Sequence, residues 1–318
     1  MNKINTVTLP EISAPDTIYR LLPKKEFTKS NFYQERVDRN IGIISIWEQY
    51  QLKNKVVAIA GCGGMGGYLG ILLARLGIKE IRLADPEVFD VSNLNRQFGA
   101  GVPTIGKSKA METARMIHST IPDVEIVVYP MGIRSEVVDE FVYGCDVVVD
   151  EIEIWEYEAP ILLHQASRNA NIPIFSCNTA GFGTHLFLFT KDSMTLEEVL
   201  EVSLEQARAM DEVRRKKEMS EDELKKFVAR LLLVIAPELE KTHPKEYPRI
   251  FERLVMEQKA SIISTNPAFA TGFLANRIAL ELVPSIMTPY DTQIPKMPGY
   301  AYMDSRSVSG KIFQGRWW

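Results

Sequence analysis

The sequence predicts an α/β fold: a Rossmann-like, mostly parallel sheet with helices on both faces, a helical insertion, and a C-terminal helix and hairpin. Three observations predict it. Short β-branched runs alternate with helical stretches from residue 55 to residue 190. A glycine-rich loop, Gly61-Cys62-Gly63-Gly64-Met65-Gly66, follows the first run directly and opens a helix. After Thr190 the strand pattern stops and helix signals take over. Continuous apolar strands separated by helices imply a parallel sheet covered on both faces.

In order, residues 1–30 are polar and Pro-dotted and read as an arm. A helix is expected over about 31–51, with Gly42 as its weak point. Strands are expected at 55–60, 80–85, 124–129, 146–150, 172–177 and 185–190. Helices are expected at 65–76, 109–120 and 157–170. Thr195 with Glu198, and Ser220 with Glu223, have capping-box spacing before LEEVLEVSLEQARAM and ELKKFVARLLLVIAP. Asn266-Pro267 opens a further helix, and a hairpin is expected around 301–313. The expected organisation is 1–50 arm and helix, 51–190 nucleotide-binding core, 191–260 helical insertion, and 261–318 completing the core.

The 318 residues carry a net charge of −4, so nothing draws the whole chain to nucleic acid. The first thirty residues show no apolar stretch behind a basic start, and no run approaches the ~18 apolar residues of a membrane span. Cys62, Cys145 and Cys177 form no CxxC, which excludes a four-thiolate zinc site. A reducing cytoplasm is the expected compartment. The four histidines show no metal-ligand spacing.

The glycine loop lies between a strand and a helix, where glycines allow close backbone approach to a phosphate and the helix start offers free N–H groups. Asp85 ends the next strand, where an acid accepts hydrogen bonds from ribose hydroxyls. Gly61, Gly63 and Gly66 also satisfy the dinucleotide fingerprint, so the loop alone fits both NAD and ATP. Arg96, beside Asn93 and Gln97, and Lys109 at the next helix start favour ATP. Cleavage between the α and β phosphates leaves a highly charged pyrophosphate, and cations stabilise it.

The blocks GCGGMGG, RLADPEVFDVSNLNRQFGA, IGKSKA and DVVVDEIE together resemble the nucleotide half of the ThiF/MoeB/HesA and ubiquitin-activating family. The resemblance covers about residues 35–190, and NPAFATGFLANRIALEL resembles the helix after the family's crossover region. It implies Mg-ATP, adenylation of a carboxylate and a homodimer or pseudo-dimer. It makes Gly61, Gly63, Gly64 and Gly66 the phosphate loop and Asp85 the ribose acid. Asn93, Arg96 and Gln97 become the polar block facing the nucleotide, and Lys109 the phosphate lysine. RVDRN resembles the family's R-x-x-R-Q segment, which makes Arg39 the arginine donated to the partner's site and Arg36 its neighbour.

The chain departs from that pattern in three respects, one being that the zinc CxxC pairs of MoeB- and ThiF-like members are missing. The metal-binding Asp-Asn after the fourth strand is replaced by Asp150-Glu151-Ile152-Glu153, so Glu153 and Asp150 are both candidates for Mg²⁺. The 180–260 region has no cysteine for a thioester. Asn178, Thr179, Gly181 and His185 are candidates for the acyl side. The expected activity is carboxylate adenylation on a peptide or small protein without a cysteine relay, with capture by another nucleophile. The rivals are a carboxylate-cyclising enzyme on modified tRNA, an NAD(P)-dependent oxidoreductase and a non-catalytic partner subunit.

Overall fold

The computed structural model describes residues 4–6, 16–28, 30–216, 218–289 and 291–318. Much of the predicted arm therefore lies outside the described residues. The chain divides into two compact units, 1–152 with 271–292, and 153–270 with 293–318.

In the first unit, β1 (Ile4–Thr6), β2 (Ile18–Leu21), β3 (Val56–Ala60), β4 (Glu80–Ala84), β5 (Glu125–Tyr129) and β6 (Val147–Asp150) lie in the order β1-β2-β5-β4-β3-β6. β3 pairs in parallel with β4 and β6, and β4 with β5. The chain winds outward from β3 to β5, then returns to lay β6 on the other side of β3. That reversal opens a crevice at the carboxyl ends of β3 and β6, where ligands bind in doubly wound sheets. The register places Ala60 beside both Ala84 and Asp150.

Two expectations need correction here. The arm is not merely an arm, because β2 pairs antiparallel with β5 and β1 pairs with β2. The predicted 31–51 helix is two helices, α1 (Ser30–Val37) and α2 (Ile46–Lys53). Gly42 takes a left-handed φ of 106° between them. Ser45 and Glu48 then form a reciprocal capping box that starts α2. Helices α3 (Gly66–Leu76), α4 (Lys109–Thr120) and α5 (Val138–Val142) follow. α3 and α4 pack on each other, α3 on β3 and β4, and α4 on β4 and β5.

In the second unit, α6 (Glu158–Asn169) precedes β7 (Ile174–Ala180) and β8 (Gly183–Phe189). These strands form an antiparallel run with β9 (Tyr300–Asp304) and β10 (Ser309–Phe313). Parallel pairing of the core strands is thus a property of the first unit. The expected helical insertion is α7 (Leu196–Leu200), α8 (Leu204–Lys216), α9 (Glu221–Ile235), α10 (Leu239–Thr242) and α11 (Tyr247–Glu257). Both predicted capping boxes are present. The stretch after Thr195 is two helices, because Glu201 turns left-handed (φ 58°) between α7 and α8. α9 buries Leu224, Val228 and Leu232, one helical face, in a cluster with Trp155, Leu254 and Val255. α12 (Asn266–Leu282) leaves the second unit at Ala270 and continues in the first. No helix among the described residues is long and apolar enough to cross a membrane.

One buried carboxylate ties the insertion down. Asp211 of α8 is 1% exposed and accepts the backbone N–H groups of Tyr157 and Glu158 at 3.1 and 2.9 Å. It therefore caps α6, whose flanking Tyr157 supplies no side-chain cap. Asp211→Ala is expected to cost about 2 kcal/mol, with Asp211→Asn costing less, measured from denaturant midpoints.

Candidate functional site

The site begins where β3 ends. Gly61 takes a φ of +99°, and a Cβ there would lie 2.1 Å from the Glu151 carbonyl oxygen. A Cβ at Gly66 would lie 1.8 Å from the Gly61 carbonyl oxygen. Both positions admit only glycine, and together they fold the loop back against the end of β6. At Gly63 a Cβ would meet nothing closer than the Gln97 amide nitrogen at 3.6 Å, so packing alone does not require glycine there. Gly64 is half-buried in the turn before α3. No side chain caps the start of α3; its Gly67 N–H makes one long bond to the Gly63 carbonyl at 3.4 Å, and the helix start is otherwise open to an anion.

Asp85 holds this loop to the end of β4. It is 5% exposed, and its carboxylate accepts the Cys62 N–H at 2.7 Å and the Glu87 N–H at 2.8 Å. Each carboxylate oxygen keeps a further lone pair for a hydroxyl. Burial pushes the Asp85 carboxyl up to about 6, against the pull of Lys109. Lys109, 5% exposed, begins α4 as expected. Its ammonium meets the Glu87 carboxylate at 2.6 Å. Sequence reasoning missed Glu87; a second acid two residues past Asp85 was the available signal.

Gln97 is 7% exposed, and its side-chain oxygen is buried with no hydrogen-bond partner among the described residues. Asn93 is buried and accepts the Asp90 N–H at 3.0 Å, so it shapes the loop that carries Gln97. Arg96 donates to the Ser92 carbonyl and the Asn95 side chain at 3.1 and 3.0 Å. Asp150, buried at the end of β6, accepts the Ile152 N–H at 3.1 Å.

The glycine loop, Asp85, Gln97, Lys109 and Asp150 thus come together at the carboxyl ends of β3, β4 and β6. Other predicted residues are placed differently. Arg39 is exposed in the turn after α1, and among the described residues its side chain makes no hydrogen bond or ion pair. Arg36 is a structural anchor, bonded to the Asp123 carboxylate and the Ala74 carbonyl at 2.9 Å each. Glu153 is exposed in the second unit. Asn178, Thr179 and Gly181 also lie in that unit, at the end of β7 and in its turn to β8. That turn is held by Asn266, which donates to the Gly181 and Gly183 carbonyls at 3.0 and 2.9 Å. His243 accepts the Phe182 N–H beneath it at 3.2 Å. His185 is fully buried, and burial pushes it down to about 3. Among the described residues no three His, Cys, Asp or Glu are grouped to hold a metal ion.

All three cysteines are buried. Burial and the Asp85 charge push the Cys62 thiol well up, and burial pushes Cys145 up to about 12. A thiolate nucleophile needs the opposite.

The raised Asp85 pKa makes a prediction about stability. The folded chain keeps this proton where the unfolded chain has lost it, so the contribution is complete below about pH 4 and disappears as pH rises through about 6. Asp85→Asn is expected to remove this dependence, read from chemical unfolding at pH 4, 5, 6 and 7.

The ThiF family model matches residues 37–312. The tRNA threonylcarbamoyladenosine dehydratase of Bacillus subtilis (strain 168) is 32% identical over 126 residues, covering 39% of this chain and 49% of that protein. The adenylyltransferase and sulfurtransferase MOCS3 of Mus musculus is 31% identical over 144 residues, covering 45% of this chain and 31% of that protein. The sulfur carrier protein ThiS adenylyltransferase of Escherichia coli (strain K12) is 26% identical over 147 residues, covering 46% of this chain and 58% of that protein. The chain spans about half the length, or less, of the first two. Among solved structures, PaaA superposes with a TM-score of 0.61 at 15% identity, covering 92% of this chain and 87% of that one. E. coli MccB, determined with ATP, gives 0.60 at 17%, covering 93% and 75%. The structural likenesses establish a shared fold, and the family match over most of its length makes the chain a member of the ThiF family.

Proposed function

We propose that this chain activates a carboxylate by adenylation and passes the acyl group to a nucleophile without a cysteine relay. One observation carries the reading. A buried lysine at a helix start stands beside an uncapped glycine loop, a buried acid and the buried Gln97 amide, whose nitrogen faces Gly63 and whose oxygen is unpartnered among the described residues. Backbone alone suffices for a dinucleotide's pyrophosphate; a sealed cation suits a leaving pyrophosphate. Relatives named adenylyltransferases support the same choice over a dehydrogenase.

A carboxylate oxygen attacks the α-phosphorus in line, and the bond to the β-phosphate oxygen breaks with its electron pair leaving on pyrophosphate. The loop amides and the start of α3 hold phosphate oxygens, Asp85 accepts from the ribose, and Gln97 accepts from the nucleotide. Lys109 and Arg96 meet the charge that develops on the leaving group. Mg²⁺, when bound, neutralises phosphate charge. It needs only one or two protein carboxylates, and Asp150 at the end of β6 is the better candidate over Glu153. An amine, amide or hydroxyl then attacks the acyl carbonyl and AMP leaves.

The substrate we favour is a peptide or small-protein carboxylate, in keeping with the E. coli relative named for a sulfur carrier protein. A carboxylate on modified tRNA is the second reading, favoured by the B. subtilis relative. We also propose a homodimer in which Arg39 serves the partner's site. Beside Arg39, Ile43, Ile46, Trp47 and Tyr50 are 89%, 75%, 59% and 60% exposed, a run of apolar surface suited to a second copy. We assign the enzyme to the cytoplasm.

ATP–pyrophosphate exchange tests the chemistry. Lys109→Ala and Arg96→Ala are each expected to lower exchange about 100-fold while circular dichroism stays that of the wild type. Exchange at the wild-type rate in either variant removes that residue from the mechanism.

A further inference from the structure

The pair formed by Lys109 and Glu87 is unequal. The lysine side chain is 7% exposed and the glutamate 57%. Two bonds hold them: the ammonium to the carboxylate at 2.6 Å, and the Lys109 N–H to the Glu87 carbonyl at 2.9 Å. A buried cation without an anion is costly. Asp85 is near, but its carboxylate is already bonded to the Cys62 and Glu87 amides. Glu87 is therefore the anion that the ammonium meets directly.

We propose that Glu87 is a positioning residue: a placeholder anion that keeps the Lys109 ammonium paired and aimed until the phosphates of an incoming nucleotide displace it. This rests on the adenylation reading above. The difference in exposure gives the exchange its direction. The glutamate side chain can turn into water, whereas the ammonium cannot leave the interior unpaired. The second bond uses the Glu87 main chain, so the start of α4 stays where it is when the carboxylate swings away. One anion replaces another, and the buried cation is paired throughout.

Two consequences separate this role from simple structural support. Glu87 competes with phosphate, so it weakens nucleotide binding while it stabilises the empty site. It also acts on its neighbour: the charges facing Asp85 are Lys109 and Glu87, with the buried Cys62 thiol beside them, and Glu87 raises the Asp85 pKa. Without the Glu87 charge, Asp85 ionises at lower pH.

The test uses the full chain and the isosteric variant Glu87→Gln, with the magnesium complex of a non-hydrolysable ATP analogue as the calorimetric probe. Expected are an analogue Kd and an ATP KM about three- to fivefold below wild type, from the modest strength of a half-exposed ion pair. The nucleotide-free chain should melt at a lower temperature, and the acid limb of analogue binding should move to lower pH. Glu87→Asp keeps the charge and should bind the analogue within about twofold of wild type. The proposal is overturned if Glu87→Gln binds the analogue as wild type does, or more weakly; weaker binding would make Glu87 part of the nucleotide site itself. A wild-type chain that binds no analogue overturns the adenylation reading instead.

Discussion

The site depends on one buried carboxylate. Asp85 directly follows β4, and its carboxylate accepts the Cys62 amide in the glycine loop and the Glu87 amide in the segment leading toward α4. It thereby fixes the loop after β3 and the chain after β4 relative to each other. The remaining freedom of the loop is removed by contact: Gly61 lies so close to the Glu151 carbonyl that a methyl group would not fit. Three strand ends are held together in this way, and the residues read as nucleotide-binding stand on them. The cost is an acid kept out of water, which appears as its raised pKa.

Local signals carried much of this in the sequence. The strands are continuous apolar runs and the glycine loop is contiguous, so both are legible without knowing what packs against them. Lys109 was placed at the start of α4 because helix starts have a composition of their own. The break in the 31–51 helix was hidden for the opposite reason. Its apolar residues Ile43, Ile44, Trp47 and Tyr50 are available for one helical face, but only Ile44 is buried while Ile43, Trp47 and Tyr50 face outward, and the Ser45–Glu48 box that starts α2 lies inside the run. Strand direction was also illegible. β7 begins and β8 ends as a short apolar run, as parallel strands do, yet the two form an antiparallel hairpin across Gly181–Gly183.

Partners distant in sequence were the other limit. Asp211 looks like one charge in a charged, solvated helix, and only its position below the start of α6 makes it a cap. Asn266 reads as a helix opener, while its side chain reaches two carbonyls more than 80 residues earlier. The orphaned oxygen of Gln97 points the other way. A buried acceptor left without a donor is unfavourable in the protein by itself, and under the proposed function a bound nucleotide would offer the missing donor.

The three buried thiols have a practical consequence. Thiol-directed reagents attack exposed thiolates, and each native sulfur is buried. A cysteine introduced on the surface would therefore be the single reactive one. A fluorophore or spin label could be attached to it without first removing Cys62, Cys145 or Cys177, so the glycine loop would keep its natural residue during distance measurements.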